Sequence, residues 1–361
     1  MLEEYSCKTK LVCGSGAVKA LGSLGASRVL VVTDPFFMKN GTAKKVADAA
    51  KCVEAEFFDR VEPDPSVELA AEGTAKVRAF RPDLIVALGG GSAMDCAKAM
   101  AYFAKGNYQV AAIPTTSGSG SEVTDFAILT HDKVKHPLVD EKLRPDVAIL
   151  DSDLLQTLPK SLIADTGFDV LTHALESYVS KGAGSITDLL AREAFSGAMA
   201  ALPASFAGNT SVRLKVHLAA TLAGMSFTQA GLGLCHAMAH ALGGLYHVPH
   251  GRLNAILLPS VVSCNAHVAG KKYAEIARAA GISGSAESIA VRNLKNSLVR
   301  LRRELSLPQT LSQAGVDPRS VWRSVPRIVE ATLADPCCES NPLKVEDFLI
   351  RRILEEVTGR V

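Results

Sequence analysis

The stretch GLCHAMAHALGGLYHVPHG, Gly233 to Gly251, holds four of the chain's nine histidines among small and apolar neighbours. His236 and His240 lie four residues apart, so on a helix both imidazoles project from one face. Upstream, GFDVLTHALESY puts Asp169 and His173 at the same spacing. Two helices would each offer a pair of ligand-type side chains, and three imidazoles with a carboxylate suit a divalent transition metal. A lone histidine on an apolar face is usually a satisfied core residue. Four in nineteen residues, flanked by Ala237, Ala239, Ala241, Gly243 and Gly244, point to ligation instead. Spacing alone selects His236 and His240 as the pair on the second helix. His250, between Pro249 and Gly251, stands at the end of a loop able to fold back over that helix.

A second chemistry is written in glycines. LIVALGGGSAMDCAKAM (Leu84 to Met100) reads as strand, three glycines and helix, with Ser92 as a natural N-cap. Bare backbone N–H groups at a helix N-terminus suit a pyrophosphate. The pattern is not GxGxxG, and a tight strand-to-helix turn would also account for it. IPTTSGSGSEVT (Ile113 to Thr124) follows another strand and is dense in hydroxyls and glycines. Two such loops at the carboxyl ends of parallel strands sit where open α/β sheets bind nucleotides. Asp34 ends the first clear strand, placed either to accept a hydrogen bond from a ribose 2′-OH, which favours NAD over NADP, or to cap a helix or turn.

The elements that would position these groups fall into two textures. RVLVVTD (Arg28 to Asp34), LIVALGG (Leu84 to Gly90), VAAIPTT (Val110 to Thr116) and VAILD (Val147 to Asp151) are short, apolar and bounded by turn residues, as buried strands are. Helical patterns over Thr42 to Cys52 and Val67 to Phe80 alternate with them, which implies a parallel sheet covered by helices. After about Pro159, segments such as SLIADTGFDVLTHALESYVS, ITDLLAREAFSGAMAAL and VRLKVHLAATLAGMSF carry only helical spacing. The expected organisation is α/β followed by all-α: residues 1–158 a dinucleotide-binding domain and 159–361 a helical, metal-binding one.

Composition limits the alternatives. The 361 residues are 48% hydrophobic and 21% charged, which is globular, and at roughly 150 residues per domain suggest two domains. A net charge of +2, with no basic run interleaved with aromatics, argues against a nucleic-acid or membrane partner. No apolar run reaches the ~20 residues of a bilayer span, and the N-terminus lacks a signal-peptide pattern. Eight scattered cysteines without a CxxC pair read as reduced cytoplasmic thiols.

The stretches GGGSAMDCAKA, PTTSGSGSEVT, LRPDVAILD, GFDVLTHALESYVS, CHAMAHALGGLYHVPHGRLNAILLP and ADPCCESNP together resemble the iron-containing, or group III, alcohol dehydrogenases. The resemblance covers essentially the whole chain, and within the family it is strongest to the short-chain alcohol dehydrogenases of diol and ethanolamine breakdown. It implies a Rossmann-like N-terminal domain and an all-helical C-terminal one, a dehydroquinate synthase-like architecture with the site in the cleft. It revises the ligand set to Asp169, His173, His236 and His250, with His240 beside the nicotinamide and His247 left as a loop or substrate-pocket residue. For the cofactor it points to Asp34, Gly89, Gly90, Gly91, Ser92, Asp95, Thr115, Thr116 and Lys135. Two departures stand out: His136 follows Lys135 where an aromatic is frequent, and Asp64 stands where Asn is common.

The implied activity is reversible hydride transfer between a small primary alcohol and NAD. Fe2+, with Zn2+ as the alternative, would act as Lewis acid, and His240 would relay a proton. The resemblance also implies a homodimer or higher homo-oligomer and a cytoplasmic place, free or within a bacterial microcompartment. Two rivals share the architecture. A dehydroquinate synthase-like lyase needs basic residues for a substrate phosphate, yet Arg252 is the only Arg or Lys near the histidines. A zinc glycerol dehydrogenase uses one Asp and two His. A non-enzymatic NAD-binding protein would leave the ligand set unexplained.

Overall fold

Runs of β-branched residues flanked by turn formers become strands because their side chains pack well on a pleated, doubly covered surface. In the computed structural model, which describes residues 4–132 and 134–359, these are β1 (Lys10–Gly14), β2 (Arg28–Val32), β3 (Glu54–Phe58), β4 (Leu84–Gly89), β5 (Gln109–Pro114), β6 (Phe126–His131), β7 (Val134–Val139) and β8 (Val147–Asp151). Six form one parallel sheet in the order β1-β8-β5-β4-β2-β3; β6 and β7 pair as an antiparallel hairpin. The helices α1 (Pro35–Lys39), α2 (Thr42–Ala50), α3 (Val67–Phe80) and α4 (Gly91–Ala104) lie between them. Alternation along the strands builds two cores. Val29, Val31, Leu84 and Val86 pack with Val46 and Ala47 of α2, and Leu30, Val32, Ile85 and Ala87 pack with Val77 of α3 and Met94 of α4.

This unit spans Ser6–Leu158. β2 leads through α2 to β3 on one side, whereas β4 leads through α4 to β5 on the other. The carboxyl ends of β2 and β4 therefore diverge into the crevice where open α/β sheets bind ligands. Ser92 is not the N-cap expected of it: Gly90, extended at ψ −169°, takes that position, and Ser92 falls in the first turn. With a glycine cap, no side chain is committed to the first N–H groups.

The second unit is Pro159–Val361 together with the start of the chain, where the Tyr5 hydroxyl donates to the Met225 carbonyl (3.4 Å). Among the described residues its regular elements are helices: α5 (Lys160–Val179), α6 (Ser185–Ala207), α7 (Arg213–Ala230), α8 (Leu234–Tyr246), α9 (His250–Ala279), α10 (Glu287–Glu304), α11 (Pro318–Ala334), α12 (Cys337–Ser340) and α13 (Asp347–Val357). A parallel sheet followed by helices is the class that the two textures implied. α5 packs on α6, α7 and α9. The approach of α9 to α5 needs Gly251, since a Cβ there would lie 2.0 Å from the Asp165 carbonyl oxygen. One expectation needs correcting: α9, with 30 residues, is long and apolar enough to cross a bilayer. Its apolar window is 78% buried among neighbouring helices, which accounts for the composition.

Candidate metal centre

One stripe of α5 carries three buried polar side chains. Asp169, His173 and Glu176 sit at i, i+4 and i+7 and are all buried. α8 brings His236 from its first turn. His250 is the first residue of α9, capped by Pro249, and not part of a loop; the connection from α8 is only His247–Pro249, with His247 exposed in the left-handed region at φ 54°. Asp169 Oδ1 lies 3.9 Å from His173 Nε2, 3.7 Å from His236 Nε2 and 3.5 Å from His250 Nε2. Asp169, His173 and His236 offer donor atoms within 4.8 Å of one another, close enough to share a divalent cation, and His250 faces the same Asp169 oxygen from α9. The His173 ring is stacked between Phe227 (4.4 Å) and His236 (4.5 Å).

His240 is not one of the converging donors, which corrects the choice that spacing alone makes. One helical turn carries it about 6 Å along the axis, where its Nδ1 meets Asp335 Oδ2 at 2.8 Å and its ring stacks on His250. It belongs instead to a separate cluster with Asp335 and Cys337.

The surroundings hold the donors in place. Glu176 accepts from the backbone N–H groups of Gly233 (3.1 Å), Cys235 (2.6 Å) and His236 (3.3 Å), and meets His236 Nδ1 at 2.6 Å. Asn254 donates from Nδ2 to Asp169 Oδ1 (2.7 Å), with His250 Nε2 at 3.1 Å. Burial would lower the His236 pKa, but hydrogen bonds to Asp169 and Glu176 outweigh it and raise it to about 9. Burial would raise Asp169, yet His173, His250 and His236 hold its carboxyl below the usual range. His250 is pushed well down by burial, against the pull of Asp169. Arg252 is gripped by Asp165 at 3.1 and 2.9 Å.

In the sheet unit the two glycine-bearing loops meet. A Cβ on Gly90 would lie 3.4 Å from Thr116 Oγ1, and one on Gly91 would lie 3.2 Å from Ser119 Oγ. Gly89 has φ +149°, and its carbonyl accepts from Thr115 N (2.9 Å). The result is a cradle of bare backbone at the N-terminus of α4, suited to a phosphate. Asp34 caps α1 through Oδ1, accepting from Phe36 N and Phe37 N; Oδ2 is 3.8 Å from the Cβ position of Gly89. Asp95 is spent on Ser121 Oγ (2.6 Å) and Ile128 N (3.2 Å), so it anchors the second loop. Lys135, on β7, pairs with Asp64 (2.6 Å), whose N–H donates to Ser92 Oγ at 3.3 Å.

Sequence reading missed several of these groups. Glu176 continues the Asp169–His173 stripe and Asn254 lies four residues after His250, so spacing could have flagged both. Lys98, 1% exposed, donates to Ser121 O, Ser121 Oγ and Thr124 Oγ1. Burial lowers its pKa to about 8, although Asp95, Glu122 and Asp125 oppose the shift. Asp335 lies in the ADPCCESNP stretch, but no spacing ties it to His240, almost a hundred residues earlier.

Two family models match the chain: iron-containing alcohol dehydrogenase over residues 8–152, and the C-terminal region of the Fe-containing alcohol dehydrogenase family over residues 163–358. The chain is 37% identical to 1-propanol dehydrogenase PduQ of Citrobacter freundii, over 99% of its own length and 100% of that protein. It is 36% identical to the NADPH-dependent butanol dehydrogenase of Clostridium saccharobutylicum, over 95% and 94%. Among solved structures, a 1,3-propanediol oxidoreductase superposes with a TM-score of 0.92 at 34% identity, covering 98% of this chain and 99% of that one.

Proposed function

This chain belongs to the iron-containing alcohol dehydrogenase family, and we propose that it interconverts a short-chain primary alcohol and its aldehyde with NAD(H) and a ferrous ion. That it is an oxidoreductase of the alcohol dehydrogenase type follows from the family. The observation that carries the finer reading is the approach of three imidazole Nε2 atoms to the one carboxylate oxygen of Asp169.

Asp169, His173, His236 and His250 would hold a divalent cation, which would supply the Lewis acidity that lowers the pKa of an alcohol and polarises a carbonyl. The chain's own residues do the rest. Asn254 steadies Asp169 by donating to the same oxygen that faces the imidazoles. Asp335 holds His240 by Nδ1, and the His240 side chain, 27% exposed, keeps Nε2 to take a proton and pass it to solvent. In the sheet unit, the Gly89–Ser92 turn with Thr115 and Thr116 receives the pyrophosphate. Asp34 accepts from the ribose 2′-OH and repels a 2′-phosphate. NAD(H) bound there would supply the hydride chemistry, and these residues would hold and orient it.

Iron is the family's metal, although the same donors would hold zinc at least as well. The lyase alternative loses its one nearby cation, because Arg252 is already bound by Asp165. The eight free cysteines suit a reducing cytoplasm, open or within a protein shell, and a homodimer or higher homo-oligomer is the proposed assembly.

Assays of NADH- and NADPH-linked reduction of acetaldehyde, propanal, butanal and lactaldehyde, beside glycerol oxidation, test this. Fastest turnover on the C2 to C4 aldehydes with NADH is expected. Preference for glycerol, or for NADPH as in the Clostridium relative, would overturn the substrate or the Asp34 assignment respectively.

A further inference from the structure

Glu176 lies outside the four converging donors, and no part of the proposed reaction uses it. Its side chain is 2% exposed, yet one carboxylate takes four contacts. Three are backbone N–H groups of the segment that opens α8; the fourth is His236 Nδ1. The approach is close enough that a Cβ on Gly233 would lie 2.8 Å from Glu176 Oε1, so a glycine is required there. An N-terminal helix turn leaves N–H groups without intrahelical partners, and a carboxylate satisfies them and complements the dipole. The contact with the imidazole does something a cap alone would not. A carboxylate can only accept, so it holds the proton on Nδ1 and leaves the lone pair on Nε2, the nitrogen that faces Asp169 at 3.7 Å.

We propose that Glu176 is a positioning residue for the metal centre: it ties the start of α8 to α5 and holds His236 in the tautomer that ligates through Nε2. The inference rests on the metal-centre reading above. The Glu176→Gln side chain is nearly isosteric and its Oε1 still accepts from the backbone. Its amide, however, presents an N–H towards His236 Nδ1, and that stabilises the tautomer with the proton on Nε2, the nitrogen that faces Asp169, which then has no lone pair for a cation. Asn341 supplies the control. Its Oδ1 accepts from Leu234 N (3.1 Å) at the same helix end but makes no contact with His236.

The test is zinc affinity, measured by competition with a chromophoric chelator, together with thermal unfolding of the metal-free proteins. Outer partners of metal-ligating histidines are worth about 10- to 100-fold in metal affinity. E176Q is expected to lose zinc affinity in that range, whereas N341A is expected to lose thermal stability with less than a threefold change in affinity. Equal affinity losses in E176Q and N341A, or none in E176Q, would reduce Glu176 to a helix cap and overturn the proposal. Should E176Q not fold, 15N-histidine spectra of the zinc-loaded wild type decide: a slowly exchanging Nδ1–H on His236 is expected, and ligation through Nδ1 would contradict it. Failure of the wild type to bind one zinc would instead overturn the metal-centre reading itself.

Discussion

Three imidazoles and an amide converge on one oxygen of Asp169. In the metal-free protein that field also holds a proton. With the His236 pKa raised to about 9, its imidazole is protonated at neutral pH, whereas Asp169 and His250, both held low, carry no proton. A cation must displace that proton, because ligation requires a free lone pair. The sign follows: affinity rises as pH climbs towards about 9 and levels above it. Calorimetry of zinc binding at pH 7 in buffers of different ionisation enthalpy is expected to show at least one proton released per ion; zero release would contradict the arrangement. At this scale much was legible. Asp169 and His173 stand at helical spacing that survives into the fold, and His236 was singled out by the histidine cluster. His240 was misplaced by spacing because one turn of helix moves a side chain to a new neighbour, and Asp335 became that neighbour only through folding.

At the scale of elements, the donors meet because helices approach closely where small residues permit. Gly251 is the tightest case, with the Asp165 carbonyl in the space a side chain would fill. Gly251→Ala is expected to push α9 from α5, costing about 1–3 kcal/mol of stability and weakening metal binding through His250. Thermal unfolding and zinc competition measure both; an unchanged midpoint and affinity would show that the contact relaxes freely. The doubly covered strands β2, β4, β5 and β8 were legible because both faces are buried and the run is continuously apolar. β1 and β3 were not: they lie at the sheet edges, and KLVCG and EAEFF carry exposed positions that blur the pattern. The β6–β7 hairpin, partly polar and outside the main sheet, gave no buried run to read. Ser92 shows a related limit, since a glycine one or two residues away can take over a cap without changing the helix.

For the whole molecule, sheet and helices divide the labour: one unit offers bare backbone at a strand-end crevice, the other a carboxylate and three imidazoles. Neither feature alone specifies an alcohol dehydrogenase, and the family match over both halves of the chain gives them a common purpose. The central claim is that one cation, held by Asp169, His173, His236 and His250, is needed for turnover. The most direct measurement is NADH-linked propanal reduction by protein purified without oxygen, stripped with a chelator and titrated with ferrous iron, with bound metal quantified at each point. Activity is expected to be absent from the stripped protein and to rise in proportion to bound iron up to one ion per chain. Full turnover in the stripped protein, or a rise that ignores the amount bound, would contradict it.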